Sequence, residues 1–470
     1  MKNKNIVFIE PLGDSANVFD NYMKLPLMGP FYLGTILHNN GYDVRILNEN
    51  VLGRRIDPFE IDADIFCITS LTVSANRAKL LARQLRQLYP SSKILIGGIH
   101  ASLLSDEFLE VADHVISGEA EEIILDLVEG KITDKLVYGN HIKNLDSLPL
   151  INYGLLENIE NMDYIPIMTS RGCPFDCNFC TVTKIFGKKF RTQSPDRIIG
   201  EIKNALKHFK TRNVFFYDDN LTANRRRAEE LYDKLLEEDV PVTWSAQVRA
   251  DLAKKPELLK KMRDAGCSRV FIGFESIEEE TLKAYKKSQT ISDIENAIRR
   301  FHEYGINIHG MFMFGEDNDT LDTINRTLEF AVKHEIDTLQ FMILTPFPGT
   351  QVYDMLVEQK RLYHKNWDYY NGMYIVFRPK NMNPLKLQRA VIKAYKKFYS
   401  FRRTMSDSLR IGLNIFLDAL VFNFSRVFQY DFNTILVRFG AKMIVGKYGE
   451  INHHYLEFLD HVEKKQISEK

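Results

Sequence analysis

The chain predicts an α/β protein in three parts: a doubly wound, Rossmann-like unit, then a partial TIM-type (β/α)6 barrel, then a C-terminal helical region. Three observations predict it. Apolar strand-like runs alternate with amphipathic helical runs from Asn5 onward, and such alternation builds parallel sheets covered by helices. The pattern loosens over 141–164, where LDSLPLINYGLL brings in a proline and a glycine, the usual marks of a connection. It resumes as a second series of strand–helix units and, near residue 375, gives way to helix-period sequence alone. The expected boundaries are 1–140, a linker at 141–164, 165–375 and 376–470.

In the first unit NIVFIE, DVRILNEN, DIFCITS, KILIGG and DHVISG read as strands. PFYLGTILHNNG, SANRAKLLARQLRQLYP and EAEEIILDLVEG read as helices. A sheet of this kind binds ligands beyond the carboxyl ends of its strands. In the second series the strands are YIPIMTS, NVFFYD, VTWSAQV, RVFIGFE, INIHGMFMFG and TLQFMILT, with helical runs such as RRRAEELYDKLLEE and DTINRTLEFAVKHE between them. Six units are an incomplete version of the eight-unit barrel, whose sites lie at the strand C-termini. The tail, RIGLNIFLDALVFNFSRVFQYDFNTILVRFGAKMIV, is apolar at helical spacing but interrupted by Asn414, Asp418, Asn423, Arg426 and Asp431. No run reaches the roughly 18 apolar residues that a membrane span needs. Packing on the barrel competes with a second use, in which Ile411, Phe416, Leu420, Phe424 and Phe428 form a greasy channel or a membrane-resting face.

Charge excludes some functions. Lys plus Arg equals Asp plus Glu at 62 each in 470 residues, so no global field draws the chain to nucleic acid. Five cysteines in so long a chain make no disulfide framework, which points to a reducing compartment. MKNKNIVFIEPLGD passes from a short basic stretch straight into a strand, unlike a secretory signal. A cytoplasmic location is expected, with peripheral membrane contact as an extension of it.

The chemistry concentrates in RGCPFDCNFCTV, where Cys173, Cys177 and Cys180 are spaced C-x3-C-x2-C directly after the first strand of the second series. Soft thiolates converging from one loop select an iron–sulfur cluster or zinc. A closed zinc site requires four ligands, and the nearest downstream histidine, His208, is distant. Three thiolates on a four-iron cluster leave one iron open to a small molecule. Three merely buried cysteines fit poorly, because Arg171, Asp176 and Asn178 are interleaved with them and charged residues are rarely buried. Cys67 and Cys267 sit alone in apolar segments and read as core residues.

The stretch resembles the C-x3-C-x-aromatic-C signature of radical S-adenosylmethionine enzymes, with Phe179 as the aromatic, and the six βα units resemble their partial barrel. The resemblance implies a [4Fe-4S] cluster on Cys173, Cys177 and Cys180. Its open iron would chelate the amino and carboxylate groups of S-adenosylmethionine, and reductive cleavage would yield a 5′-deoxyadenosyl radical. By position, Asp219 in FFYDDNL would bind the methionine ammonium, Arg249 in WSAQVRAD the carboxylate, and Glu275 in FIGFES the ribose hydroxyls. Asp218 reads instead as a solvated or capping charge. Gly310 and Gly315 in GMFMFG are expected to allow close backbone approach.

The first unit resembles the cobalamin-binding domain that precedes the barrel in one large branch of these enzymes. LPLMGPFYLGTIL, IGGIHAS and ISGEAEE carry the likeness. It implies cofactor contacts from Gly97, Gly98, His100, Gly118 and Glu119. The D-x-H-x-x-G motif that supplies an axial histidine elsewhere is absent: His38 precedes Gly41 at that spacing, but Ile36 holds the aspartate position. No histidine ligand is therefore expected.

The reading that follows is a cobalamin-dependent radical S-adenosylmethionine enzyme, a methyltransferase acting on an unactivated carbon of a hydrophobic lipid or natural product. The alternatives are a cobalamin-bearing radical cyclase, oxidase or carbon–carbon coupling enzyme, and, from another class, an iron–sulfur electron carrier or sensor. A reducing donor such as flavodoxin or ferredoxin is the expected partner. No side chain is assigned as the catalytic acid or base.

Overall fold

The computed structural model describes residues 4–14, 23–420, 440–442, 445–446 and 452–468. By compactness the chain divides into a first unit, Met1–Gln247 with Pro346–Lys360 and His364–Asn371, and a second, Val248–Thr345 with Arg361–Tyr363 and Gly372–Lys470. The division falls at the last residue of the third strand of the second series, Thr243–Val248, so that the first barrel strands group with the N-terminal sheet.

The first unit is built on a parallel sheet of β1 (Asn5–Glu10), β2 (Asp43–Asn48), β3 (Ile65–Thr69), β4 (Lys93–Gly97), β5 (His114–Gly118) and β6 (Leu136–Gly139). Their order is β2-β1-β3-β4-β5-β6. The order reverses direction at β1, and in a sheet wound this way ligands bind beyond the carboxyl ends of the strands beside the reversal. Ile6, Val7, Ile9, Phe66, Ile94 and Ile96 are buried, as expected of a sheet covered on both faces.

Two local expectations are corrected. β6, the sequence LVYG, lies just before the stretch where the pattern loosens and is too short to announce itself. Its pairing with β5, Gly118 opposite Gly139, defines it. The helix expected from EAEEIILDLVEG begins only at Ile124 and runs to Glu129, because Glu119 and Glu121 are held by arginines, as described below.

The linker stretch contains the short 3-10 turns Leu145–Ser147, Tyr153–Leu155 and Ile159–Asn161. Tyr153 fastens it: its ring packs against Phe31 and Phe209 at 5.3 and 5.2 Å between centroids, and its hydroxyl donates to the Pro166 carbonyl at 3.2 Å.

The second series opens with β7 (Ile165–Ile167), followed by a two-residue hairpin of β8 (Ser170–Arg171) and β9 (Arg191–Thr192) that the sequence did not announce. β10 (Asn213–Phe216) pairs in parallel with β7 on one side and with β11 (Thr243–Val248) on the other. In the second unit β12 (Cys267–Glu275), β13 (Asn307–Phe314) and β14 (Thr338–Ile343) are parallel, with β13 central.

Helices Ile291–Glu303 and Leu321–Lys333 separate these strands, each opened by a reciprocal threonine cap, Thr290 and Thr320. The exposed edge of β14 is closed by helix Pro384–Phe398 and the residue after it. The Leu339 and Phe341 amides donate to the Tyr399 and Tyr395 hydroxyls at 2.8 and 2.7 Å, an alternative to leaving a pairing edge open. Helices Phe401–Leu420 and His453–Ser468 follow. Among the described residues no helix is long and apolar enough to cross a membrane.

Candidate active site

The three cysteines sit on the loop 172–190 that β8 and β9 close at its base. Gly172 has φ +88°, and a Cβ there would lie 2.5 Å from the Lys189 carbonyl oxygen, so the entry to the loop admits only glycine. The Cys173 amide donates to the Gly187 carbonyl at 3.3 Å and the Cys180 amide to the Cys177 carbonyl at 3.2 Å. All three cysteines are partly exposed, whereas Cys67 and Cys267 are buried.

Burial pushes the Cys180 thiol up to about 12, and the negative charges of Asp219, Cys177 and Cys173 push in the same direction. Cys180 thus lies within electrostatic reach of the other two cysteines and of Asp219. A positive iron centre there would reverse the sign of that balance and favour thiolates. Among the described residues no three His, Cys, Asp or Glu side chains are gathered as a single-ion site.

Beside this loop, within the same unit, a cavity of ≈ 270 Å³ lies inside a cleft with ≈ 1370 Å³ of free space. It sits at the carboxyl ends of β1, β3, β4 and β5. Its walls are mostly apolar, and Gly97, Gly98, Gly118, Glu119, Arg171 and Asp219 lie on them. The glycines differ in kind. A Cβ on Gly98 (φ +97°) or Gly118 (φ +98°) would meet the Ser70 amide nitrogen at 2.7 Å or the Gly139 carbonyl oxygen at 2.5 Å. Those two glycines are required by neighbouring backbone. Gly97 is not: the nearest atom to a Cβ there is 3.8 Å away. Its missing side chain leaves room in the cleft, which fits a large planar group lying across the strand ends. No histidine is among the residues that line it.

Several predicted residues are placed otherwise than expected. His100 is fully buried and turned away from the cleft, where its Nδ1 lies 3.3 Å from the Thr72 hydroxyl and its Nε2 3.7 Å from Glu107. Its ring packs edge-on to Trp367 at 5.0 Å. The expected cofactor contact of His100 is thus corrected to a packing role, since Thr72, Glu107, Phe108 and Trp367 receive its ring. Glu119 lies on the cleft wall, yet its carboxylate is occupied. Oε2 accepts from Arg171 Nη1 at 2.8 Å, Arg191 Nη1 at 2.9 Å and the Ile142 amide at 2.8 Å, and Oε1 accepts from Arg191 Nη2 at 2.5 Å. Burial alone would raise its pKa, but Arg191 and Arg171 outweigh that and hold the carboxyl below its usual range.

Asp218 is buried and structural. It accepts from the Thr169 amide at 3.3 Å, the Thr169 hydroxyl at 2.8 Å and the Ser170 hydroxyl, rather than being solvated as its sequence position suggests. Asp219 points the other way, onto the cleft, and burial followed by the charge of Asp218 raises it to about 6. Phe179 lies on the cysteine loop, partly exposed.

Arg249 and Glu275 belong to the second unit. Arg249 follows β11 by one residue, and its Nη2 donates to the Ser288 carbonyl at 3.1 Å. Glu275 ends β12 at φ +63° over a bulge beginning at Gly273, its carboxylate paired to Lys287 at 2.7 Å. A non-glycine residue in that conformation is strained by roughly 1–3 kcal/mol, a cost commonly found at functional sites. Gly310 admits no backbone: a Cβ there would meet the Phe274 ring at 3.2 Å, so side-chain packing requires it. Sequence reasoning missed the roles of Arg171, Arg191 and Glu121. The one available signal was an arginine two residues before the first cysteine.

A family model described as the radical SAM superfamily matches residues 167–331, and one described as a B12 binding domain matches 20–128. The bacteriochlorophyllide d C-8(2)-methyltransferase of Chlorobaculum tepidum is 30% identical over 75% of this chain and 81% of its own length. The chain belongs to the cobalamin-dependent radical S-adenosylmethionine enzymes. The C-12(1)-methyltransferase of the same organism is 28% identical over 90% of this chain and 94% of its own. In fold, the chain is similar to the cobalamin-dependent radical enzyme OxsB with aqua-cobalamin and S-adenosylmethionine bound. That likeness has a TM-score of 0.67 at 15% identity and covers 97% of this chain and 81% of that one. The cofactors of this radical enzyme are accordingly a [4Fe-4S] cluster, S-adenosylmethionine and cobalamin, and its class is methyltransferase.

Proposed function

We propose that this enzyme transfers a methyl group to an unactivated carbon of a large hydrophobic substrate of tetrapyrrole or lipid character. The observation that carries the reading is the placement, within one unit, of three thiols on one loop beside a mostly apolar cleft at the ends of a doubly wound sheet. The bacteriochlorophyllide relatives support the substrate class. When bound, the cluster, S-adenosylmethionine and cobalamin supply the electron, the radical source and the methyl carrier.

The chain's residues do the rest. Cys173, Cys177 and Cys180 hold the cluster, with Phe179 against it. Asp219 takes the methionine ammonium, Arg249 the carboxylate and Glu275 the ribose. Gly97, Gly98 and Gly118 line the floor under cobalamin. The apolar walls exclude water, so that reactive intermediates are not quenched. The functional domains divide at 1–140, 165–375 and 376–470, a low-potential flavodoxin or ferredoxin supplies the electron, and helix Phe401–Leu420 touches a membrane surface.

The test is anaerobic reconstitution of the full chain with iron, sulfide and cobalamin, followed by assay for 5′-deoxyadenosine and S-adenosylhomocysteine under reducing conditions. Cys173→Ala, Cys177→Ala and Cys180→Ala are each expected to lose the four-iron chromophore, and Cys67→Ala and Cys267→Ala to keep it. Loss of iron in Cys267→Ala would overturn the ligand assignment. Products of cleavage without methyl transfer to any hydrophobic acceptor would favour a cyclase or oxidase.

A further inference from the structure

The buried ion cluster at the base of the cysteine loop has no place in the chemistry proposed above. Arg171 and Arg191 are direct cross-strand partners in the β8–β9 hairpin, where two like charges repel. One carboxylate from another element lies between them: Glu119, in the turn after β5, bonds both. Arg171 also pairs through Nη2 with Glu121 at 2.5 Å. The four side chains are 4–6% exposed, and their charges balance, two of each sign.

The position matters as much as the pairing. Gly118, Glu119 and Glu121 form one stretch of the cleft wall, and Ser170, Arg171, Ile185 and Phe186 form another. Arg191 additionally donates to the Ile142 carbonyl at 2.7 Å and, through Nη2, to the Phe186 carbonyl at 3.1 Å. The base of the loop that carries the cysteines is thus pinned to the same turn that borders the cleft. With up to four acceptor sites on a carboxylate and four donors already on Glu119, little capacity remains for a direct contact with a cofactor.

We propose that Glu119 is a positioning residue through which cluster assembly on the cysteine loop and corrinoid binding in the cleft strengthen one another. Ordering the loop around a cluster fixes Arg171 and Arg191. That holds the turn 118–121 in its cleft-lining form, and a corrinoid arriving second then has less left to order. The coupling is reciprocal, so either cofactor bound first improves the affinity of the other by one common factor. The inference rests on the reading that Cys173, Cys177 and Cys180 hold the cluster.

The experiment titrates the full chain with hydroxocobalamin, followed by its visible spectrum, in cluster-free and in iron- and sulfide-reconstituted form. Wild type is expected to bind at least about five-fold more tightly when reconstituted, the lower end of typical coupling. Glu119→Gln is expected to bring that ratio to one while still taking up iron, an outcome that a merely structural carboxylate would not produce. Equal affinities in the two wild-type forms, or an undiminished ratio in folded Glu119→Gln, overturn the proposal. Should Glu119→Gln fail to fold, Glu121→Gln is read in its place, and an undiminished ratio there overturns it equally. Wild type that takes up no cluster at all overturns the cysteine assignment instead, so the two failures are distinct.

Discussion

Asp218 and Asp219 are adjacent in sequence and opposite in environment. The chain leaves β10 so that one carboxylate turns back toward Thr169 and Ser170 while the next faces the cleft. Asp218 is satisfied by protein donors, and its amide analogue would present a second donor to groups that are already donors. Asp218→Asn is therefore expected to cost about 1–3 kcal/mol of stability, read as a lowered urea midpoint. Asp219 pays a desolvation cost and has a repelling neighbour, which together raise it to about 6; a cationic ligand would relieve both. Asp219→Asn is expected to leave the urea midpoint unchanged or raised, and to weaken S-adenosylmethionine binding roughly 10- to 100-fold, the loss of a hydrogen bond to a charged group. Equilibrium dialysis of the cluster-loaded protein reads that loss. If the two variants exchanged phenotypes, the assignment of the pair would be reversed.

Strand ends decide the shape of the cleft. Gly97 closes β4 without crowding, whereas Gly118 closes β5 against Gly139 of β6. The two substitutions to alanine therefore separate ligand space from backbone need. Gly118→Ala forces a Cβ to within 2.5 Å of a carbonyl oxygen at φ +98° and is expected to destabilise the protein by about 1–3 kcal/mol. Gly97→Ala is expected to fold with an unchanged melting temperature and to bind hydroxocobalamin more weakly, by at least several-fold. Unchanged corrinoid affinity in Gly97→Ala would remove the cofactor from that part of the floor. The strand β6 that crowds Gly118 is only four residues long, so its existence depended on β5 being there to pair with it.

At the scale of the whole molecule, the second unit contains a helix, Phe401–Leu420, with an unusual surface. Along Phe401–Leu420 the side chains Phe401, Leu409, Leu413, Phe416 and Leu420 are 56%, 68%, 57%, 59% and 59% exposed. Their spacing of three, four and eight places them on one face. Of the apolar face expected from the sequence, Phe416 and Leu420 are on it, while the Ile411 side chain, Phe424 and Phe428 lie outside the described residues. Exposed Arg402 stands in the first turn of that helix, and exposed Lys393, Lys396 and Lys397 lie in the last turns of the preceding helix Pro384–Phe398, charges of the sign that anionic lipid attracts. The intact protein is expected to co-sediment with liposomes containing phosphatidylserine, and the double variant Leu413→Asp with Phe416→Asp to remain in the supernatant. Exposed substitutions of this kind usually alter stability by less than about 0.5 kcal/mol, so the comparison tests the surface. If neither protein sediments, the face is not a membrane contact.

The sequence by itself determined the elements whose signal is local: five of the six strands in the first sheet, the six parallel strands of the second series but not its short hairpin, and the loop on which the three closely spaced cysteines lie. Periodicity and ligand spacing are properties of a few neighbouring residues, and no distant contact is needed to read them. Tertiary structure decided everything that depended on a partner from elsewhere in the chain. β6 exists because β5 pairs with it, the helix after β5 starts late because Arg171 and Arg191 draw Glu119 out of it, and His100 leaves the cleft because Thr72, Glu107 and Trp367 receive it. The orientation of two consecutive aspartates likewise depended on which neighbours offered donors. A buried charge or a short strand has no intrinsic preference strong enough to be read locally, because its free energy resides in the partner that satisfies it.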